Sequence, residues 1–143
     1  MGVLSSSVLC VEDSQTDRFL IRRALRAVAP SLKMAEAESV HDAVNYLNQE
    51  SSEGRAPVWV FIDLNLPDGS GLEVVRQTRK LVGLERLPLI ILSTSNDAHD
   101  VEQAFALGVN AYICKPDRID DLKEVIRSLS TLFKTPGRHP YAF

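Results

Sequence analysis

Polar side chains able to take part in chemistry follow four of the short apolar runs in this sequence, each at the carboxyl end of its run. They are Glu12, Asp13, Asp63, Ser93 and Lys115. Carboxylates that converge in one crevice repel each other, which raises their pKa values unless a cation joins them. Oxygen ligands suit Mg²⁺ or Mn²⁺, whereas zinc prefers histidine and cysteine. Since His41, His99 and His139 fall in helix or tail positions, the sequence predicts a hard divalent cation and not zinc.

Five apolar runs alternate with stretches of helical periodicity along the chain. The runs cover residues 7–12, 33–38, 58–63, 88–93 and 111–115. Strands that alternate with helices indicate βαβ units, so the predicted fold is α/β, a doubly wound parallel sheet of five strands between two helical layers. Ligands bind beyond the carboxyl ends of the strands in such sheets. The polar residues are therefore expected to meet at one edge.

Capping patterns mark the starts of two helices. Ser14 and Ser39 each precede an acidic residue by three positions, Asp17 and Asp42 respectively, as in the capping box.

The last predicted helix carries one apolar stripe at helical spacing. Its members are Leu122, Val125, Ile126, Leu129, Leu132 and Phe133. Residues 49–57 are predicted to form an enlarged loop.

Each polar piece also has an ordinary structural explanation. A single aspartate in a stretch such as "LPDGSG" commonly forms a turn, and an acidic pair before a helix commonly caps it. Lys115 with Pro116 can begin a loop, and the Ser93 hydroxyl can bond to backbone. Four such pieces at one edge of one sheet are hard to assign to chance, which favours a functional site there.

The composition indicates one globular domain. The chain has 143 residues, of which 45% are hydrophobic, and a formal net charge of −3. Residues 1–143 are predicted to form a single domain, with a core over 7–133 and an irregular tail over 134–143. The acidic balance argues against nucleic acid binding, and the basic residues at 18–26 indicate a solvated helix face. Cys10 and Cys114 are expected to be buried, reduced thiols.

The sequence carries no signal for a membrane. Its apolar stretches fall short of the roughly 18 residues that a spanning helix needs. The first residues, "MGVLSSSVLCVED", lack the basic start and long apolar stretch of a secretory signal. A cytoplasmic protein that does not bind membranes is therefore expected.

Four segments carry a family resemblance. "CVEDS", "FIDLNLPDGSGLEV", "IILSTS" and "NAYICKP" resemble the receiver domain of bacterial response regulators in order and spacing, over residues 7 to about 133. The resemblance implies the flavodoxin-like strand order 2-1-3-4-5 in three α/β/α layers. It also implies a stand-alone regulator of a two-component system, a signalling phosphoprotein rather than an enzyme, that takes its phosphoryl group from a histidine kinase.

By this resemblance, Asp63 is the phosphoacceptor. Glu12 and Asp13 match the acidic pair that holds Mg²⁺, with Mn²⁺ as an alternative, and the backbone carbonyl of Asn65 completes the protein ligands. Lys115 matches the family's lysine, which a cis peptide joins to the proline after it. A phosphoryl donor carries repelling negative charge that Mg²⁺ and this lysine neutralise, so catalysis rests on positioning and electrostatic stabilisation.

Two further positions imply a signalling switch. Ser93 takes the place of the switch hydroxyl, and Tyr112 that of the aromatic switch residue. Phosphorylation is expected to draw the Ser93 hydroxyl inward and let Tyr112 turn, which changes the face formed by the fourth helix, fifth strand and fifth helix. Packing on the fourth helix is the alternative role for Tyr112. Thr94 is larger than the small residue common after the switch hydroxyl and is expected to narrow access to the acyl phosphate, and Asn65 and Ser95 flank the path of the attacking water. All three are expected to tune the phosphoryl lifetime.

The loop lengths resemble those of single-domain regulators associated with bacterial phytochrome kinases. A bacteriophytochrome is therefore a candidate kinase, and the expected output is docking of a downstream protein or phosphorelay to a phosphotransfer domain, since no output domain follows residue 133. Such relatives often form homodimers, and Tyr141 and Phe143 are candidate anchors for one. A frayed tail is the alternative.

Three other functions compete with this prediction. A phosphatase of the dehalogenase type also uses an aspartate nucleophile with Mg²⁺, but it needs Asp-x-Asp-x-Thr where this chain has "VEDSQTD". A flavin-binding module needs a Ser/Thr/Gly-rich phosphate loop at the same place, and "EDSQTD" is acidic. A degenerate receiver serving as a scaffold would lack acceptor-site groups that are present here.

Overall fold

The computed structural model of the chain describes residues 6–133. Five strands form one parallel sheet: β1 Ser7–Val11, β2 Lys33–Ala37, β3 Trp59–Ile62, β6 Leu89–Ser93 and β7 Ala111–Cys114. A short antiparallel hairpin follows β3, formed by β4 Asn65–Leu66 and β5 Gly69–Ser70. The helices are α1 Gln15–Val28, α2 Val40–Ser52, α3 Gly71–Thr78, α4 Ala98–Leu107 and α5 Ile119–Leu132.

The order of the strands in the sheet is β2-β1-β3-β6-β7. Counted over the five sheet strands, this is the predicted order 2-1-3-4-5, and the predicted fold is confirmed. The central strands β1, β3 and β6 end side by side, in parallel register. Their carboxyl ends therefore form one edge of the domain, as this topology requires. The predicted tail over 134–143, with Tyr141 and Phe143, lies outside the described residues.

Each central strand serves two apolar cores, because successive side chains alternate between the faces of a sheet. On β1, Val8 and Cys10 pack with α1 and α5, whereas Leu9 and Val11 pack with α2, α3 and α4. Strands β3 and β6 repeat this alternation. A strand covered on both faces has a continuous apolar sequence, which explains why these strands could be predicted from the sequence.

Helix starts follow the predicted capping. The Ser14 side chain accepts a hydrogen bond from Asp17 N at 3.2 Å, and the Ser39 side chain accepts one from Asp42 N at 3.0 Å. Farther along the chain, α4 ends at Leu107 and is capped by Gly108, whose φ of +101° is a left-handed conformation that glycine adopts without steric cost. These caps fix the lengths of the helices that flank the sheet.

Three details differ from the sequence-based expectations. The loop predicted over 49–57 begins later, because α2 continues to Ser52. Leu132 is 38% exposed, since it ends α5 at the margin of the apolar stripe. Cys10 is a buried free thiol, but Cys114 is exposed, so its expected burial is wrong. The reason is position: Cys114 ends the outermost strand, which has a neighbouring strand on one side only.

No helix within residues 6–133 has both the length and the apolar character needed to cross a membrane.

Candidate functional site

The backbone of the site is fixed by sheet hydrogen bonds that extend one residue past the strands. Glu12, Asp63 and Lys115 each donate a backbone N–H to the neighbouring strand, at 2.9, 2.9 and 2.8 Å respectively. Each residue is thus held at the edge of the sheet before its side chain makes any contact. The positions of these three side chains follow from the parallel register of the strands.

Alternation places the same three side chains on one side of the sheet. Glu12, Asp63 and Lys115 each lie two residues after a strand position that packs with α1 and α5, so they share that side. Lys115 Nζ lies 2.5 Å from Glu12 Oε1 and 3.1 Å from Asp63 Oδ2. Glu12 and Asp63 are buried, with 2% and 8% of their surface exposed. The structure therefore brings the predicted acidic residues and the predicted lysine together.

A further carboxylate, that of Asp17, joins this network. Asp17 Oδ2 lies 2.7 Å from Lys115 Nζ, which is a shorter distance than the one between Asp63 Oδ2 and the same nitrogen. The sequence indicated only a capping role for Asp17, in which its side chain would bond back to Ser14 N. Instead, Ser14 N donates to Glu12 Oε2 at 3.1 Å. The alternation of side chains along β1 and β7 could have predicted this contact, because it directs the Lys115 side chain to the side of the sheet on which α1 begins.

Three carboxylates offer a site for a cation. Glu12, Asp13 and Asp63 each have an oxygen, and these oxygens all lie within 4.8 Å of one another. Asp13 is exposed, in contrast to the other two. An all-oxygen set with an open side that admits water fits Mg²⁺ or Mn²⁺, which keep several water ligands.

The electrostatics of the site follow from this crowding. Burial raises the pKa of Glu12 to about 7, and the neighbouring charge of Asp63 adds to the rise, while the hydrogen bonds from Lys115 and Ser14 N oppose it. Burial alone would lower the pKa of Lys115, but its bonds to Asp17 and Glu12 and the charge of Asp63 outweigh that effect and raise it. The ammonium is thus held charged among an excess of carboxylates, an arrangement that attracts a cation.

The loop after Asp63 is held close to the sheet. Asn65 N donates to Asp63 Oδ1 at 3.2 Å, so both oxygens of the phosphoacceptor candidate are bonded. Gly71 begins α3 directly against this loop, and its N–H donates to Leu64 O at 2.9 Å. A Cβ at position 71 would overlap the carbonyl oxygen of Asp63. Glycine is required there because the helix approaches the backbone of the site closely.

Arg18 supports the acidic loop from behind. Its Nη1 donates to the backbone carbonyl of Glu12 at 2.8 Å, while Nε and Nη2 lie 3.3 and 2.8 Å from the carboxylates of Glu36 and Glu38. Only 12% of its side chain is exposed, so the predicted solvated face is wrong at this position. The guanidinium connects α1, the end of β1 and β2.

Hydroxyl groups occupy the other side of the site. The Ser93 side chain is fully buried and accepts from Ser95 N at 3.2 Å. The half-buried Tyr112 donates its hydroxyl to Ser95 O at 2.8 Å, and Ser95 Oγ donates to Asp100 of α4 at 2.7 Å. Thr94 is exposed. Tyr112 is therefore tied to the loop that leads from β6 to α4, and that loop contacts the buried serine.

The predicted cis peptide between Lys115 and Pro116 is wrong. The described residues contain no cis peptide bond. Lys115 nevertheless reaches Asp63, since the last bond of the β6–β7 ladder fixes its backbone and the alternation of β7 directs its side chain.

Residues 8–127 match the family model described as the response regulator receiver domain. FilR2, a probable methanogenesis regulatory protein of Methanothrix harundinacea, is 30% identical over 134 residues, which cover 93% of this chain and 86% of that protein. The solved structure of the phosphorylated cyanobacterial phytochrome response regulator RcpA is 28% identical with a TM-score of 0.80, covering 92% of this chain and 96% of RcpA. The Mn²⁺-bound form of Rcp1, a response regulator of Synechocystis, is 28% identical with a TM-score of 0.75, covering 91% and 96%. The predicted resemblance to regulators of the phytochrome type is confirmed.

Proposed function

This chain belongs to the response regulator receiver domain family, and we propose that it accepts a phosphoryl group on Asp63 from a histidine kinase. The metal ligands in this proposal are Glu12, Asp13, Asp63 and the backbone carbonyl of Asn65, with Mg²⁺ or Mn²⁺ as the ion. One observation carries the proposal: the buried Asp63 carboxylate lies 3.1 Å from the Lys115 ammonium, beside a set of three carboxylate oxygens.

The chemistry follows from these contacts. An oxygen of the Asp63 carboxylate attacks phosphorus, an oxygen–phosphorus bond forms, and the bond from phosphorus to the donor's imidazole nitrogen breaks, leaving a histidine that takes a proton from solvent. A bound divalent cation supplies positive charge next to the transferred oxygens. Lys115 donates to an oxygen of the transferred group, where a compact ammonium stabilises the negative charge.

Two similar proteins support the proposal. RcpA is described in its phosphorylated form, and Rcp1 in a form that holds Mn²⁺. Both have the same fold as this chain over nearly its whole described length, and both are similar to it in sequence. RcpA is described as a phytochrome response regulator, so a bacteriophytochrome is the candidate kinase in this proposal.

We propose further that phosphorylation is read through Ser93 and Tyr112. The Ser93 hydroxyl turns toward the phosphoryl group, the loop before α4 moves, and the face formed by α4, β7 and α5 changes. Phe105 of α4 is 50% exposed, an apolar group suited to a partner. The partner is a downstream protein, a phosphotransfer domain or a second copy of the chain. The molar mass from light scattering, measured before and after phosphorylation, tests whether the partner is a second copy. Asn65, Thr94 and Ser95 set the phosphoryl lifetime.

Phosphorylation by acetyl phosphate with Mg²⁺ tests the proposal. Intact-protein mass spectrometry is expected to show one added phosphoryl group on the wild type and none on Asp63→Asn. Asp68→Asn is a matched control, because Asp68 lies in the same loop but bonds to the backbone of Val40 and His41 instead. It is expected to be phosphorylated. Equal phosphorylation of wild type and Asp63→Asn contradicts the proposal.

A further inference from the structure

We infer that Asp17 restrains Lys115 in the unphosphorylated protein and so slows phosphoryl transfer to Asp63; this inference rests on the proposed function. An ammonium has three N–H donors. In the structure Lys115 Nζ has three carboxylate oxygens around it, from Glu12 at 2.5 Å, Asp17 at 2.7 Å and Asp63 at 3.1 Å. Its hydrogen-bonding capacity is therefore fully used before any phosphoryl group arrives.

An arriving phosphoryl group adds a new acceptor, so Lys115 must release one of its partners. Glu12 and Asp63 are buried, and a buried carboxylate that loses its partner bears the full cost of desolvation. The Asp17 side chain is 36% exposed, so water replaces the lysine there most easily. Asp17 is thus the partner that Lys115 releases, and the strength of their ion pair opposes the transfer.

The charge of Asp17 acts in the same direction. Asp17 Oδ2 and Asp63 Oδ2 both contact the nitrogen of Lys115, so the two carboxylates are near neighbours. A negative charge at this distance repels the phosphoryl donor as it approaches Asp63. The charge of Asp17 also attracts a divalent cation. Removal of this charge is therefore expected to weaken cation binding, and to speed phosphoryl transfer when the cation is saturating.

The test is the rate of phosphorylation of the full chain by acetyl phosphate at saturating Mg²⁺, followed by intact-protein mass spectrometry. Asp17→Asn is expected to react about three- to tenfold faster than the wild type, from the removal of one charge near the acceptor. The acceleration is expected to shrink as KCl is raised, because salt screens the interaction. Mn²⁺ affinity, titrated separately, is expected to fall by about twofold.

The sign of the effect separates this role from a structural one. A displaced Glu12 or a destabilised α1 would slow the reaction, so acceleration is a result that damage does not produce. Asp17→Glu, which retains the charge, is expected to restore the slow rate. Asp17→Ser is expected to react faster, as Asp17→Asn does, and it provides a second variant should the first fold poorly. Glu85→Gln removes an exposed charge at the opposite edge of the sheet and is expected to leave the rate unchanged.

Two failures are distinguishable in this assay. A rate for both Asp17→Asn and Asp17→Ser that is equal to or below that of the wild type overturns the restraining role of Asp17 alone. If the wild type gains no phosphoryl group, or if Asp63→Asn gains one equally, the proposed function fails and the role of Asp17 fails with it.

Discussion

The charged half and the hydroxyl half of the site are built on different contacts, although both lie at the same edge of the sheet. The charged half, on the side of α1 and α5, comprises Glu12, Asp13, Asp17, Asp63 and Lys115. The hydroxyl half, toward α4, comprises Ser93, Ser95 and Tyr112. In the charged half, Lys115 joins three carboxylates at 2.5 to 3.1 Å. In the hydroxyl half, Ser93 and Tyr112 bond to the backbone of Ser95.

The two kinds of contact differ in strength. Hydrogen bonds to charged groups contribute about 1.5–3 kcal/mol each, and neutral ones about 0.5–1.5 kcal/mol. Removing one charged partner from a buried network also leaves the others uncompensated. The charged half is therefore suited to hold reacting groups in place, and the hydroxyl half is suited to exchange one set of weak bonds for another. This division matches the proposed separation of phosphoryl chemistry from signalling.

Lys115→Met should produce the largest effect, because it removes the cation at the centre of the charged half. The rate of phosphorylation by acetyl phosphate is expected to fall by at least about 100-fold, as when one donor to a developing anion is lost. The free energy of unfolding without Mg²⁺ is expected to fall by about 1–3 kcal/mol, the cost of leaving buried acceptors without their donor. Urea denaturation with and without Mg²⁺ measures the second effect, which the ion is expected to offset.

Lys80→Met is the control for this substitution. Lys80 is exposed just after α3, away from the carboxyl ends of the strands, and its loss changes the net charge equally. It is expected to leave both quantities within error of the wild type. If Lys115→Met reacts within threefold of the wild type, the charged half does not carry the chemistry.

Arg18→Met should have an intermediate effect, on metal binding more than on folding. It removes the hydrogen bond to the Glu12 carbonyl and two ion pairs, so the backbone between Glu12 and Asp13 loses its support. Mn²⁺ affinity, measured by electron paramagnetic resonance, is expected to weaken by about tenfold, as for other residues that orient metal ligands. Arg23→Met, an exposed arginine of the same helix, should bind Mn²⁺ normally. Equal affinities for the two variants would show that Arg18 has only a packing role.

Tyr112→Phe should have the smallest effect, because it deletes one neutral hydrogen bond in the hydroxyl half. The free energy of unfolding is expected to fall by about 0.5–1.5 kcal/mol, measured by urea denaturation. Loss of the bond to Ser95 O leaves the charged half unchanged, so the phosphorylation rate is expected to stay within about twofold of the wild type. A tenfold fall in that rate would show that the two halves act as one unit.

Much of the fold was predictable from local patterns. Strands covered on both faces must be apolar throughout, and helices between them must bury one stripe, so both element types leave a period in the sequence. The capping serines Ser14 and Ser39 were predictable for the same local reason. The meeting of Glu12, Asp63 and Lys115 was predictable because parallel strands carry their carboxyl ends to one edge. None of these inferences requires a distance between side chains.

The remaining features depend on contacts between elements that are far apart in sequence. Asp17 reaches Lys115, 98 residues away, only because α1 lies on the side of the sheet to which β7 directs that lysine. Arg18 bonds to the Glu12 carbonyl and to two acids in and just after β2, although by spacing alone it belongs to a solvated face. Cys114 is exposed because the sheet ends at β7, which the apolar run around it does not reveal.

The sequence by itself determined which residues lie at the edge of the sheet that holds the site, since all strands of a parallel sheet have their carboxyl ends at that edge. Only the tertiary structure decided which of these residues are in contact. Contact depends on the side of the sheet on which each helix packs, and on which of several neighbouring groups a long side chain such as that of Lys115 binds. Periodicity records the burial of a residue, and it does not record the identity of its neighbours.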